Sequence, residues 1–160
     1  MESVQMLLAI QEIKQLKAKY FQHLDAKNWE ALASLFTRDA LVDYSRHARN
    51  LIEQHGRRDT KPAPEDWVFT GGKAVAGFLS PLLADIISTH HGHDPQVTVI
   101  GATTATGLWS LYDRLESADE IYHGYGHYEE EYRLVDGRWM ISRLILTRER
   151  SAIESKTGAR

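Results

Sequence analysis

Between residues 8 and 24, apolar side chains recur at Ile10, Ile13, Leu16, Tyr20 and Leu24, at spacings of 3, 3, 4 and 4 with lysine and glutamine between them, which predicts one amphipathic helix. Trp29, Leu32 and Phe36 resume the period after Asp25-Ala26-Lys27-Asn28, so a second, short helix is expected from Asn28, a favourable N-cap, to about Thr37. Residues 40–44 predict a brief strand. Residues 45–66 hold seven Lys, Arg and His together with Pro62 and Pro64, which predicts a long surface loop, and connections of this length are often lids over a binding site. Ala74, Val75, Phe78, Leu79, Leu82, Leu83 and Ile86 predict a third helix, bent at Pro81.

The pattern then changes period. Residues 97–100, 104–115, 122–135 and 138–148 are rich in β-branched and aromatic residues, and Asp136-Gly137 between the last two is a two-residue hairpin signal. Three helices followed by four antiparallel strands predict an α+β fold, with helices on one face of a curved sheet. Residues 1–150 are expected to form a single domain, and residues 151–160 a frayed or disordered tail with little to bury.

The chain's 160 residues fit one domain, and the charge balance of 19 Lys+Arg against 22 Asp+Glu gives −3, which speaks against a nucleic-acid surface. There is no cysteine, so thiolate catalysis and Cys-ligated zinc are excluded. No secretory signal is evident in Met1-Glu2-Ser3-Val4-Gln5, and the uncharged run 96–112 is too short and polar to span a bilayer, so a cytoplasmic protein without membrane contact is expected. No P-loop, GxGxxG or GxSxG pattern is present.

Four residues carry candidate chemistry. In an unbroken helix Tyr20 and Asp25 would point about 140° apart, so they approach one another only if the first helix stops near Asp25; the plainer reading makes Tyr20 a core aromatic and Asp25 a cap for the second helix. His90-His91-Gly92-His93-Asp94 places three of the eight histidines within four positions. On an extended chain adjacent histidines point to opposite faces, so one of His90 and His91 can face a cavity, either as a general base or as a satisfied polar residue. A metal held by these histidines with Glu129 or Glu131 is the rival reading, although the spacing matches no closed zinc motif; alternation makes Glu129 and Glu131 more simply a solvated face. Asp113 shares a strand face with Trp109, Leu111 and Leu115, where a carboxylate either pairs with a cation or titrates near neutrality.

Taken together, residues 13–21 (IKQLKAKYF), 24–29 (LDAKNW), 89–93 (THHGH) and 132–139 (YRLVDGRW) resemble the SnoaL-like branch of the nuclear transport factor 2-like superfamily, whose members include scytalone dehydratase, bile acid 7α-dehydratase and hexachlorocyclohexane dehydrochlorinase. The resemblance covers about residues 5–150. It implies a cone of curved antiparallel sheet closed by the N-terminal helices, a cystatin-like α+β barrel, with a small hydrophobic or aromatic ligand inside. It implies catalytic roles for Tyr20, Asp25, His90 and Asp113, and a late-strand arginine that is either Arg143 or Arg148. The activity implied is a lyase, needing neither cofactor nor metal, that eliminates water from a polycyclic or aromatic, steroid-like or polyketide-like substrate. The alternatives are an isomerase or cyclase of the ketosteroid isomerase kind, and a non-catalytic ligand-binding protein. A homo-oligomer, a trimer or otherwise a dimer, is expected because the outer row Leu108, Ser110, Tyr112 and Arg114 leaves apolar surface exposed.

Overall fold

The structure, a computed structural model, describes residues 3–55 and 64–156. Helix α1 (Ser3–Asp25) buries one stripe, Ala9, Ile13, Leu16, Tyr20 and Leu24, as its period requires, and carries Lys17 inward on the same stripe. It ends at Asp25, and Lys27 turns the chain through a left-handed conformation (φ 58°) before Asn28 caps α2 (Trp29–Ala33) by accepting from the Ala31 N–H. The second helix is shorter than its apolar period suggested. Phe36 and Thr37 belong instead to strand β1 (Phe36–Asp43), where both are buried.

The expected loop 45–66 contains helix α3 (Ser45–His55), whose first turn is capped by Asp43 Oδ1 accepting the Ser45 N–H at 2.8 Å. Its periodicity is hard to read because its buried residues are only Ser45, His47 and Ala48, and its grip on the last strand is polar: Gln54 donates to the Glu149 carbonyl at 2.9 Å. The remainder of that expected loop, residues 56–63, lies outside the described residues. Strand β2 (Val68–Thr70) leads into α4 (Gly72–Leu82). Helix α4 runs through Pro81 and ends one residue beyond it, short of Ile86, with the Leu83 N–H donating to the Leu79 carbonyl.

Strands β3 (Ile87–Val99), β4 (Thr104–Glu116), β5 (Glu120–Val135) and β6 (Arg138–Ser155) form an antiparallel meander. The Asp136-Gly137 turn has φ of 49° and 76°, the doubly positive pair that a two-residue hairpin favours. Three expectations need correcting here. Strand β3 begins ten residues earlier than residue 97, because it pairs along β4 from Ile87↔Glu116 onward, which puts the histidine segment on the sheet. The sheet is also not purely antiparallel: its order is β2-β1-β6-β5-β4-β3, and β1 runs parallel to β6. It curves without closing, with β2 and β3 as its edges. The expected fraying of the tail starts too early, since Ser155 pairs with Glu120 and Lys156 donates to the Asp119 carbonyl at 2.8 Å. Residues 157–160 lie outside the described residues. No helix among the described residues is long and apolar enough to cross a membrane.

The core between α1 and the sheet contains an ion pair. Lys17 donates to Glu130, whose other oxygen accepts from the Tyr132 hydroxyl; that hydroxyl in turn accepts from Trp109 Nε1 at 2.8 Å. The Lys17 ammonium also lies 3.5 Å from the centre of the Tyr128 ring. Both charged side chains are fully inaccessible, so neither has water to replace its partner. Removing one partner from such a pair costs about 3–5 kcal/mol, because it strands a buried charge. Lys17→Met alone should therefore lower stability by about that amount in urea unfolding, whereas Lys17→Met with Glu130→Gln, which keeps an acceptor for Tyr132, should recover most of the loss.

Candidate active site

A cavity of about 70 Å³ lies between α1, α3, α4 and the inner face of the sheet. Its apolar wall is Leu24, Trp67, Leu79, Leu82, Leu83, Leu115 and Leu146, and Leu82, 48% exposed, stands where it reaches the surface. The polar part of the wall is Tyr20, Tyr44, Tyr128, His47, His90 and Arg148. The surface has larger hollows. One of about 660 Å³ between the start of α4 and the β5–β6 hairpin is lined by exposed charges, with Arg133 and Asp39 already paired.

His90 is buried and His91 exposed, as strand alternation requires. Asp25 accepts twice from His90: Oδ2 takes the backbone N–H at 2.9 Å, and Oδ1 lies 2.6 Å from the ring Nδ1. Ser88 Oγ donates to the same Oδ1 at 2.8 Å and accepts from Lys27 Nζ at 2.6 Å. The approach of α1 to β3 that this requires is possible because residue 92 is glycine; a Cβ there would lie 2.5 Å from the Phe21 ring. Partial burial pushes the Asp25 carboxyl up, but the side-chain and backbone hydrogen bonds from His90 outweigh it and hold Asp25 below its usual range. With Nδ1–H donated to that carboxylate, the lone pair of His90 sits on Nε2.

The Tyr20 hydroxyl lies 3.2 Å from that of Tyr44. Burial and the neighbouring tyrosines push Tyr20 well above its ordinary pKa, and burial pushes Tyr44 up to about 12, so both remain hydroxyl donors. Asp113 faces His90 across the β3–β4 register but does not belong to the cavity wall. It pairs with Arg148, accepting at Oδ2 from Nε at 2.9 Å and from Nη2 as well. The paired-cation reading of Asp113 is thus the one the structure adopts. Gly124, opposite Asp113 on β5, makes room for this arginine, since a Cβ there would lie 2.7 Å from Arg148 Nε. Burial works against the guanidinium charge, and Asp113 together with Tyr122 and Tyr128 more than offsets it. Of the two candidate arginines, Arg143 points outward to Glu131 at 3.0 Å.

Tyr20, His90 and Arg148 therefore meet at one cavity, with Asp25 behind His90 and Asp113 behind Arg148. Glu129 and Glu131 lie at the surface against Arg46 and Arg143, and among the described residues no three His, Asp or Glu side chains converge as a metal site. Sequence reasoning missed Tyr44 and His47. The signal available for His47 was its place three residues after Tyr44 at the start of a concealed helix.

The model of the SnoaL-like domain matches residues 5–145. The chain belongs to the SnoaL-like family. Its fold is similar to that of a protein described as a candidate scytalone dehydratase from Novosphingobium aromaticivorans DSM 12444, at 22% identity and a TM-score of 0.74 over 96% of this chain and 91% of that one. It is similar also to a hexachlorocyclohexane dehydrochlorinase of LinA type 2, at 15% identity and a TM-score of 0.78 over 99% and 97% of the two chains. An NTF2-like protein with a cystatin-like fold from Novosphingobium aromaticivorans matches at 19% identity and a TM-score of 0.65 over 91% and 85%.

The Asp25 tie has a consequence for acid stability in this SnoaL-like chain. A carboxyl held below its unfolded value contributes stability that is present above that value, about pH 4, and lost as pH falls through the folded one. Thermal melts between neutral pH and about pH 3 should show wild type losing more stability on acidification than Asp25→Asn; equal losses would mean the carboxylate is not engaged as described.

Proposed function

We propose that this SnoaL-like chain is a cofactor-independent lyase that eliminates water next to a carbonyl group. The observation that carries this reading is the His90–Asp25 hydrogen bond of 2.6 Å, with the histidine on the cavity wall and the carboxylate behind it. His90 Nε2 takes the proton from the carbon next to the carbonyl, and Asp25 stabilises the imidazolium that forms. The developing oxyanion takes a hydrogen bond from the Tyr20–Tyr44 hydroxyl pair and faces the positive charge of Arg148. The imidazolium then returns its proton to the departing hydroxyl, so water leaves and no net proton is consumed. Asp113, in this reading, positions Arg148 and does not itself handle the hydroxyl.

Size bears on the substrate. Ligand pockets for drug-sized molecules hold about 300–1,000 Å³, and the cavity of about 70 Å³ is well below that, so a single small oxygenated ring is the substrate that asks least of its wall. A polycyclic or steroid-like substrate would require α3 or the Leu82 side to move outward. The same proton abstraction would serve an isomerase or cyclase, which returns the proton to another carbon, and product analysis separates the two. A binding-only protein would hold ligand without turnover and without regard to His90.

The test is elimination from a panel of cyclic β-hydroxy ketones, followed by the ultraviolet absorbance of the enone produced. His90→Ala should lower turnover by about 10² to 10⁴, the contribution of a positioned base, and Tyr20→Phe by about 10² to 10³, the loss of one oxyanion donor. His93→Ala should leave turnover unchanged, its side chain being half exposed. Full activity in His90→Ala would end the proposal.

Assembly as a homo-oligomer, a trimer or otherwise a dimer, belongs to the same proposal. Leu108 on the outer row of β4 is 38% exposed, and Tyr112 beside it stacks on His91 and His123. Light scattering at micromolar concentration should return a mass above that of one chain, and a monomer mass would reject assembly.

A further inference from the structure

His47 is a buried imidazole that the proposed elimination leaves without a task. It sits on α3 and lines the cavity, its ring 5.9 Å edge-on from Trp67. Its Nδ1 is inaccessible and has no hydrogen-bond partner among the described residues. Buried polar atoms in folded proteins are nearly always paired, and an unpaired one is a loss of stability that a leucine of similar volume would avoid. Burial, and then the charge of Arg148, hold this histidine well below its ordinary pKa, so at neutral pH it is an uncharged ring able to donate at one nitrogen and accept at the other.

Its position relative to His90 gives the unpaired atom a meaning. His47 comes from α3, which packs on β6, while His90 comes from the edge strand β3, and β5 and β4 lie between those two strands. The two imidazoles therefore reach the cavity from different elements, His47 from a helix packed on β6 and His90 from an edge strand. Only His90 has a protein carboxylate on its Nδ1.

We propose that His47 is a specificity-determining residue that hydrogen-bonds a second oxygen of the ligand, so that this cavity selects a small ring oxygenated at both ends over one oxygenated only at the end facing His90. This deepens the lyase reading by naming the ligand class, but it concerns binding and not turnover.

Cyclohexanone and 4-hydroxycyclohexanone serve as probes, with binding followed by Trp fluorescence and by ¹⁵N signals of the histidine rings. Wild type should bind the hydroxyketone about tenfold more tightly, the yield of one hydrogen bond to an otherwise unpaired group. The His47 ring signal should move on binding while that of exposed His91 stays still. His47→Leu should bring the two affinities together and leave the melting temperature unchanged or raised, whereas His47→Gln, which retains a donor and an acceptor, should keep part of the preference. His90→Ala should keep the preference even if it abolishes elimination, which separates failure of this inference from failure of the lyase reading. The inference is overturned if wild type shows no preference, or if His47→Leu lowers the melting temperature and keeps the preference, since His47 would then be a packing residue.

Discussion

Asp25 fastens the last turn of α1 to strand β3 through both the backbone and the side chain of one residue, and the position of every other group around the cavity is referred to that tie. An aspartate at a helix C-terminus is an unfavourable placement, since the helix dipole leaves partial negative charge there. Three donors overcome this: the His90 N–H, the His90 ring and Ser88 Oγ. A carboxylate acting only as a helix cap would belong at the opposite end. The arrangement trades local helix stability for a fixed imidazole, and the sharp turn at Lys27 lets the chain leave in time to begin α2.

The interior holds an uncommon amount of charge for a single small domain, and it is organised in two separate pairs. Lys17–Glu130 lies between α1 and the sheet, and Arg148–Asp113 lies within the sheet's inner face. Each pair neutralises itself, and of these four residues Arg148 is the one on the cavity wall, beside several neutral donors. Tyrosines held above their usual pKa and a histidine held below it are the expected companions of such a site: burial keeps each in its uncharged form, ready to give hydrogen bonds without drawing a counter-ion into the cavity.

What could be read from the sequence followed from strict periods. Alternation assigned His90 and His91 to opposite faces, put Asp113 in the inward row with Trp109 and Leu111, and sent Glu129 and Glu131 outward. The same rule places Glu130 inward between them, and the helical stripe through Ile13 and Tyr20 admits Lys17; a charge on an apolar face is the sequence trace of a buried pair, though its partner 113 residues away is invisible to any local pattern. Helix α3 was hidden for a different reason. A helix that buries a histidine and an alanine and otherwise holds the sheet through amides has almost no apolar stripe to detect. The choice between Arg143 and Arg148 depended on the register shifts of the β5–β6 ladder, because a displacement by one residue exchanges the two faces of a strand.

The parallel seam between β1 and β6 joins Phe36 to Ile141 and Asp43 to Ile145. Strand β6 lies far along the chain from β1, and it is the one that anchors the first strand, and through β1 the short edge strand β2, to the rest of the sheet. Until β6 is in place, β1 and β2 have no neighbour through which to join the other strands. The loop that must close spans most of the polypeptide, and such long-range closure makes folding slow and leaves apolar surface open in the interval. The site's arginine, Arg148, arrives on that same closing strand, so chemistry and completion of the fold become possible at the same moment.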